Sequence, residues 1–464
     1  MSDEAVRLFG TNGVRGVVNE LLTPELAMGI GRAVGTVVRR SGSPVGTEIL
    51  VGADTRCSTS LMCSSICAGL LSTGCRAVDV GVLPTPAIQY GVKNSQAAMG
   101  IMITASHNPP EYNGIKTIAG DGTETTRDEE ELVERAYHAC DYVQASWKET
   151  PAMGQRKNLV DDYISGIKSI VDVGLIKGAG LNVALDCANG ATHYSAPRLM
   201  EELGAGVVTL NAQPSGMFPG HPSEPTEAHL KVLQSLVRET DADFGLAHDG
   251  DGDRAIFLDE KGQYLYGDKT LALAAKYVVE ENGGGKVVTA INTSSVLEDV
   301  VKDAGGEVVY TPIGSPIVAR VMMREKAVFG GEENGGLIFP KFQYCRDGGM
   351  TSAAMLEILA KKKRSLSELI AELPEYHLCK LKFKYPVHLR ETILKKYLEQ
   401  VEHLSPQTMD GVKLVDEGGW TLVRPSGTEA IYRIQVEDKD PIRARDKAEA
   451  AKKVLLNIIS DLER

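Results

Sequence analysis

Apolar positions come in short blocks between polar turns, and the blocks repeat. Three times an apolar strand is followed by a polar turn and a helix-like stretch: Ile49-Leu50-Val51, Val183-Ala184-Leu185 and Val287-Val288-Thr289. A second strand then opens at glycine: Gly74-Cys75-Arg76-Ala77-Val78, Gly204-Ala205-Gly206-Val207-Val208 and Gly305-Gly306-Glu307-Val308-Val309. Each leads to a proline, namely Pro84, Pro214 and Pro312. A third strand ends in a polar loop. The three strands are Ala98-Met99-Gly100-Ile101, Asp243-Phe244-Gly245-Leu246 and Val328-Phe329-Gly330. Strands alternating with helices predict α/β units, and loops at strand ends are where such folds place chemistry. Three copies therefore predict three α/β domains that offer equivalent loops to one shared site.

The rest of the chain follows another pattern. Leu381-Lys382-Phe383-Lys384-Tyr385 alternates as a strand does, and Ala448, Ala451, Val454, Leu455 and Ile458 recur at helical spacing between Pro441 and Arg464. Pro441 suits the first turn of that helix, where a missing N–H costs nothing. This segment reads as a smaller α+β domain. Residues 141–160 read as a junction leading into a helix from Leu159, and residues 361–376 as a charged helix ending near Pro374. The predicted division is 1–150, 151–254, 255–370 and 371–464. The 464 residues are too many for one core and fit several domains of about 100–150 residues.

Charge narrows the function classes. A formal net charge of −12 disfavours nucleic-acid and membrane-surface binding, which need clustered Lys and Arg. An anionic substrate would need positive charge concentrated locally against that field. Met1-Ser2-Asp3-Glu4 is acidic with no apolar run, so no secretory signal is expected. No stretch approaches the ~20 apolar residues that span a bilayer, and a cytoplasmic protein is expected. The eight cysteines are scattered without Cys-x-x-Cys pairs. Cys63 and Cys67, one helical turn apart, read as small thiols in a reducing cell and not as a metal or redox pair.

Four loops carry candidate chemistry. In Thr104-Ala105-Ser106-His107-Asn108-Pro109-Pro110, two prolines stiffen a non-helical loop, so Ser106 is fixed as a nucleophile or phosphoryl carrier must be. Alone it also reads as a plain turn. The Gly-x-Ser-x-Gly elbow of a hydrolase is absent. In Asp249-Gly250-Asp251-Gly252-Asp253-Arg254, an extended loop would point carboxylates at i, i+2 and i+4 the same way, which calls for a cation. Hard oxygen ligands suit Mg²⁺ or Ca²⁺. An EF-hand would match Glu260 at its twelfth position, but Arg254 stands where that loop requires glycine. Magnesium takes further oxygens from phosphate, which a phosphorylated Ser106 would supply, and Arg254 would hydrogen-bond the same group.

Arg424-Pro425-Ser426-Gly427-Thr428-Glu429, with Arg433 beyond, combines hydroxyls, a glycine turn and guanidinium groups into an anion cradle. This is the local positive centre. Gly330-Gly331-Glu332-Glu333-Asn334-Gly335-Gly336 holds carboxylates and an amide but no cation, which suits sugar hydroxyls or a generic loop. Arg15 stands among glycines in Phe9-Gly10-Thr11-Asn12-Gly13-Val14-Arg15-Gly16. Lys116 follows Ser106 by ten residues, and a lysine near other cations would lose its proton more easily and serve as acid or base. Each of these two cations, taken alone, reads as a surface residue.

With the four motifs in this order, the chain resembles the α-D-phosphohexomutase superfamily along its whole length. The resemblance implies three similar α/β domains, each a mixed sheet with helices on both faces, and a smaller C-terminal α+β domain around a central cleft. It implies a phosphoserine at Ser106 and Mg²⁺ on Asp249, Asp251, Asp253 and a phosphoserine oxygen. Arg254 and Arg15 would steady the transferring group, and Lys116 would be the general base with His107 nearby. Glu332 and Asn334 would bind sugar hydroxyls. Arg424, Ser426, Gly427, Thr428 and Arg433 would grip the other phosphate. The implied activity interconverts hexose 1-phosphate and 6-phosphate through a 1,6-bisphosphate, with glucose or mannose 1,6-bisphosphate as activator. The expected partner is a phosphosugar, not nucleic acid or membrane, and the chain is expected as a monomer or homodimer.

The departures bear on the sugar. Many members carry Gly-Glu-x-Ser-Gly-His in the sugar loop, where Asn334 and Gly336 replace the serine and histidine. Ala430 replaces a common proline, and Thr311-Pro312-Ile313-Gly314 lacks a lysine that some relatives carry. The Phe-Gly-Thr-x-Gly-Val-Arg-Gly opening is shared with glucosamine enzymes. Mannose and glucose rank first on the breadth of that class, with glucosamine next. A phosphatase would not need the Arg424 cradle, and a non-catalytic sugar-phosphate sensor would not need Ser106, the three aspartates and Lys116 together.

Overall fold

The computed structural model describes residues 7–10, 13–426 and 430–463. Its first three sheets are built alike. In each, a central strand (Glu48–Ala53, Asn182–Asp186 or Gly285–Ala290) pairs in parallel with the second and third strands of its unit. An antiparallel strand then follows the third: Tyr112–Ile118, Ala255–Leu258 or Gly336–Ile338. The loop between third strand and return strand is therefore the same place in all three, and it holds Ser106, the aspartates and the Glu333-Asn334 turn. The central strands are buried over most of their length, as strands covered on both faces are.

Local signals start and stop the helices. Thr23 caps the helix Pro24–Arg40 by accepting from the Leu26 N–H, with Pro24 in its first turn and Arg39 and Arg40 in its last. Thr126 and Glu129 form a capping box at Arg127–His138. In the fourth domain an antiparallel sheet contains His377–Lys384, whose alternation gives alternating burial. The helix Pro441–Leu462 starts at Asp440 and buries Ala448, Ala451, Leu455 and Ile458. Full burial of Leu455 or Ile458 contributes about 1.5–3 kcal/mol.

Three sequence expectations change. The second sheet runs on through Ala255–Leu258 and Tyr264–Leu265, so a division at 254 cuts through it. The first sheet gains Gly154–Gln155 beside Arg76–Val82, past the expected end at 150. The charged helix over 361–376 is absent. Gly348–Lys362 ends with Lys363 in the left-handed region, and Ser365 and Glu368 cap a new short helix, Leu366–Ile370.

One apolar core runs through the first three domains, from Leu50 and Met102 through Tyr163 and Ile167 to Phe244, Phe257 and Phe329. The fourth domain has a separate core around Tyr397, Val423, Tyr432 and Leu455. It meets the third at a small patch of Ile291, Trp420 and Leu422, where Lys413 Nζ donates to the Ile291 carbonyl at 2.6 Å. The eight cysteines are free, and burial pushes the Cys63 thiol up to about 12 and the Cys67 thiol to about 11. Such thiols are unreactive.

Candidate active site

Ser106 leaves the strand Met99–Ile103 in the left-handed region, with φ 52°, and is almost fully buried. A non-glycine residue there costs of order 1 kcal/mol or more, so its surroundings must hold it. They do. The Ser106 N–H donates to Thr104 Oγ1 at 2.8 Å. The buried Arg56 guanidinium donates to the carbonyls of Ser106 (3.0 Å), Asn108 (2.6 Å), Pro109 (2.5 Å) and Tyr112 (2.8 Å). Asp54 fixes Arg56 at 3.0 Å and accepts from the Thr104 hydroxyl at 2.7 Å. The result aims Ser106 Oγ at Asp249 Oδ2, 3.0 Å away, and at His107 Nδ1, 3.2 Å away.

The aspartate loop reaches Ser106 because Gly250 has no side chain. A Cβ there would fall 2.6 Å from the Ser106 carbonyl oxygen. The loop is a turn and not the extended segment expected, with Gly252 at φ 72°. Turning does not scatter the carboxylates. Asp249, Asp251 and Asp253 are buried, and each offers an oxygen within 4.8 Å of the other two. Burial first, then the charges of Asp253 and Asp251, pushes the Asp249 carboxyl well above the usual range.

The oxygens divide by role. Asp251 Oδ2 accepts from Lys116 Nζ at 2.7 Å and from Thr85 Oγ1 at 2.8 Å. Asp253 Oδ2 accepts from Arg346 Nη2 at 2.5 Å. Asp251 Oδ1 and Asp253 Oδ1 are buried with no hydrogen-bond partner. Two orphaned anionic oxygens beside a third carboxylate fit a hard divalent cation.

Lys116 is not held among cations, as its expected easy deprotonation required. Burial works against its charge, yet Asp251 and Asp253 outweigh burial and raise its pKa. It stands as an ammonium ion against the aspartates.

Beyond the loops opens a cleft of about 670 Å³, lined by Arg15, His107, Arg254, Glu332, Asn334 and Arg346. Arg15 Nη1 donates to Asn108 Oδ1 at 3.1 Å, and Arg254 Nε lies 3.9 Å from Asp249 and 3.8 Å from Asp253. Burial, with Arg254 and Arg15 close by, lowers the His107 pKa to about 3, so its ring is neutral. Glu332 accepts from the Gly314 N–H and from Arg346 Nη1, both at 3.1 Å. Asn334 Oδ1 accepts from the Gly336 N–H at 3.1 Å. A larger cavity of about 780 Å³ beside Lys363 and Ser365 holds none of the motif residues.

The fourth domain gathers three arginines, one of them on the wall of this cleft. Arg424 and Arg433 are cross-strand partners, and Arg390 lines the cleft wall. Burial lowers the Arg424 pKa, and the nearby Arg433 charge adds to this against the pull of Asp410. Asp410 pairs with Arg424 at 3.2 Å and accepts from the Ile313 N–H at 3.0 Å, tying the cradle to the third domain. The Ser426 N–H donates to the Ile431 carbonyl at 2.8 Å. Gly427 and Thr428 lie outside the described residues.

Four domain families match the chain in order. They are the phosphoglucomutase/phosphomannomutase alpha/beta/alpha domains I (residues 6–144), II (161–262) and III (266–376), and the C-terminal domain (387–454). A phosphoglucomutase/phosphomannomutase of Thermococcus kodakarensis is 45% identical over 97% of this chain and 98% of its own. The chain belongs to the phosphoglucomutase/phosphomannomutase family. It is therefore an enzyme of the phosphohexomutase class. A probable phosphoglucosamine mutase of Methanopyrus kandleri is 40% identical over 95% of this chain and 96% of its own. The crystal structure of a phosphoglucomutase/phosphomannomutase family protein from Burkholderia thailandensis superposes with a TM-score of 0.88 at 26% identity, covering 97% of each chain. Among the described residues, no helix of the mutase is long and apolar enough to cross a membrane.

Sequence reading missed several residues of this candidate site: Asp54, Arg56, Thr85, Arg346 and Arg390. Asp54 and Arg56 follow the end of the central strand Glu48–Ala53, so the strand-end rule applied to every strand would have found them. Arg346 precedes Asp347, which caps Gly348–Lys362, and only its place beside a helix start singles it out. Arg390 carries no motif.

Proposed function

We propose that this mutase interconverts hexose 1-phosphate and 6-phosphate through a phosphorylated Ser106, with mannose and glucose as its sugars. The observation that carries the phosphoserine part of this reading is Ser106 Oγ at 3.0 Å from Asp249, beside Asp251 Oδ1 and Asp253 Oδ1, which have no hydrogen-bond partner. Asp249, Asp251, Asp253 and an oxygen on Ser106 would hold Mg²⁺. When bound, the ion supplies charge stabilisation to the transferring phosphoryl oxygens.

The chain's own groups do the rest. As the Ser106 Oγ–P bond breaks, a P–O bond forms to a sugar hydroxyl, whose proton is taken up by a neighbouring base while the freed Ser106 Oγ gains one, so none is lost overall. His107 Nδ1 at Ser106 Oγ and Lys116 on Asp251 are the groups placed to handle protons. Arg15 and Arg254 face the charge that spreads over the phosphoryl oxygens. Arg424, Arg433 and Arg390 hold the second phosphate. The bisphosphate then turns end for end, and its other phosphoryl group returns to Ser106. One grip and one transfer centre suffice because the sugar turns, and a sugar 1,6-bisphosphate would prime the enzyme.

Glucosamine fits about equally, because relatives at 45% and 40% identity carry both kinds of name. Comparison of kcat/KM for mannose-, glucose- and glucosamine-1-phosphate decides it. On the mannose and glucose reading, either should exceed glucosamine by tenfold or more, a difference of about 1.4 kcal/mol. The reverse order would move the assignment to glucosamine. Dialysis against EDTA should abolish turnover and Mg²⁺ should restore it, whereas metal-independent turnover would remove the role given to the aspartates. Absence of turnover with Mg²⁺ and catalytic bisphosphate would favour a sugar-phosphate sensor.

A further inference from the structure

Arg346 is nearly fully buried at the back of the cleft, and its guanidinium spans two sites. Nη2 donates to Asp253 Oδ2 at 2.5 Å, and Nη1 donates to Glu332 Oε2 at 3.1 Å. Asp253 belongs to the aspartate loop of the second domain and Glu332 to the sugar loop of the third. The planar fork suits this, because it holds two acceptors in a fixed relation, as a flexible ammonium does not.

The surroundings give Arg346 room and hold it still. A Cβ at Gly336 would fall 2.2 Å from Arg346 Cδ, so the sugar loop is glycine where the arginine stem passes. The next residue, Asp347, accepts from the Met350 N–H (2.8 Å), Gln343 Nε2 (2.7 Å) and the Tyr163 hydroxyl (2.5 Å). The Gly348 N–H donates to the Gly252 carbonyl at 3.2 Å. A Cβ at Gly348 would meet the Gly252 and Arg254 carbonyl oxygens at 2.7 Å, so this backbone rests directly on the aspartate loop.

The two contacts have one effect each. At Asp253, Arg346 occupies Oδ2 and leaves Oδ1 without a hydrogen bond, 3.8 Å from Arg254 Nε. At Glu332, it occupies Oε2 while the Gly314 N–H occupies Oε1, which fixes the carboxylate plane against the cleft. Either contact alone would be a structural ion pair. Together they join the Asp253 and Glu332 carboxylates through one planar side chain.

We propose that Arg346 is the positioning residue that couples cation binding at Asp253 to sugar binding at Glu332. This rests on the mutase reading of the site. A ligand that straightens Glu332 then prepays part of the ordering of Asp253, and by linkage the cation favours the sugar equally. Outer partners of metal ligands typically change affinity by about tenfold to a hundredfold.

The test uses the full-length protein with Mn²⁺ as probe, followed by electron paramagnetic resonance, with and without glucose 1-phosphate. In the unaltered protein the sugar phosphate should tighten Mn²⁺ binding, and Mn²⁺ should tighten sugar-phosphate binding by the same factor. Arg346→Met keeps the stem beside Gly336 and removes the fork. It should weaken Mn²⁺ binding about tenfold, raise KM about tenfold and abolish the mutual tightening. Arg346→Lys should retain part of the affinity and lose most of the coupling. Should Arg346→Met fail to fold, Arg346→Lys carries the test. A folded variant with unchanged Mn²⁺ affinity and undiminished mutual tightening would overturn the proposal, whatever its melting temperature. The Mn²⁺ measurements without sugar need no turnover, so failure of the mutase reading shows separately as absent activity in the unaltered enzyme.

Discussion

Ser106→Ala is expected to lower kcat by about ten-thousand-fold or more while the fold is kept, because on the proposed mechanism removing this nucleophile leaves only binding and charge stabilisation. The substitution deletes one oxygen whose partners are Asp249 and His107, and it leaves the Arg56 contacts to the loop backbone in place. Thermal unfolding should therefore move by only a few degrees. Intact mass offers a second readout. Incubation with glucose 1,6-bisphosphate should add one phosphoryl group to the unaltered enzyme and none to the variant. Turnover within tenfold of normal in Ser106→Ala would end the phosphoserine assignment, and a persisting phosphoryl group would place it on another residue.

Arg56→Met is expected to give the largest loss of stability. Arg56 and Asp54 are both inaccessible to solvent, and removing one partner of such a pair costs about 3–5 kcal/mol because the other charge stays buried. Burial already raises the Asp54 pKa, and Arg56 and Thr104 oppose that rise. Without Arg56 the carboxyl goes higher and takes up a proton on folding. A group whose folded pKa is raised contributes stability below its unfolded value and loses it as pH rises. The deficit of Arg56→Met should therefore shrink as pH falls from 8 towards 5. Urea unfolding midpoints check this, and Arg56→Met/Asp54→Asn should recover part of the loss. A midpoint within 0.2 M or so of the unaltered protein at both pH values, against the typical urea sensitivity of about 1–3 kcal/mol per molar, would sink the role given to Arg56. Activity should fall too, since four carbonyls of the Ser106 loop each lose a donor.

What the sequence made legible were groups whose reason is local. Ser106, the three aspartates and the Arg424 run sit in turns rich in Gly, Pro and Asp, and such turns announce themselves. The three-fold repeat was legible because each unit begins with an apolar strand and ends in a polar loop. Arg56 and Arg346 were not. Arg56 stands at a strand end beside Asp54, but its acceptors in the Ser106 loop, like the Asp253 partner of Arg346, lie far along the chain and leave no local sign. Lys116 was legible as a residue but not in its setting, because its neighbours came from the second domain's acids. The break expected at 254 failed for a related reason. A return strand is short and follows the motif directly, so it looks like the start of the next unit until its pairing with Phe244–His248 is seen.

The backbone contacts at Gly250 and Gly348 carry a consequence for how such a protein changes over generations. A tight fit between side chains can drift, because a loss on one side is refilled by a gain on the other. A glycine pressed on a carbonyl has nothing to exchange. The first three domains share one core and these bare contacts, so a change at either glycine would disturb two domains at once. The fourth has its own core and meets the third across a small apolar seam, so its exchange would disturb the fewest of these contacts.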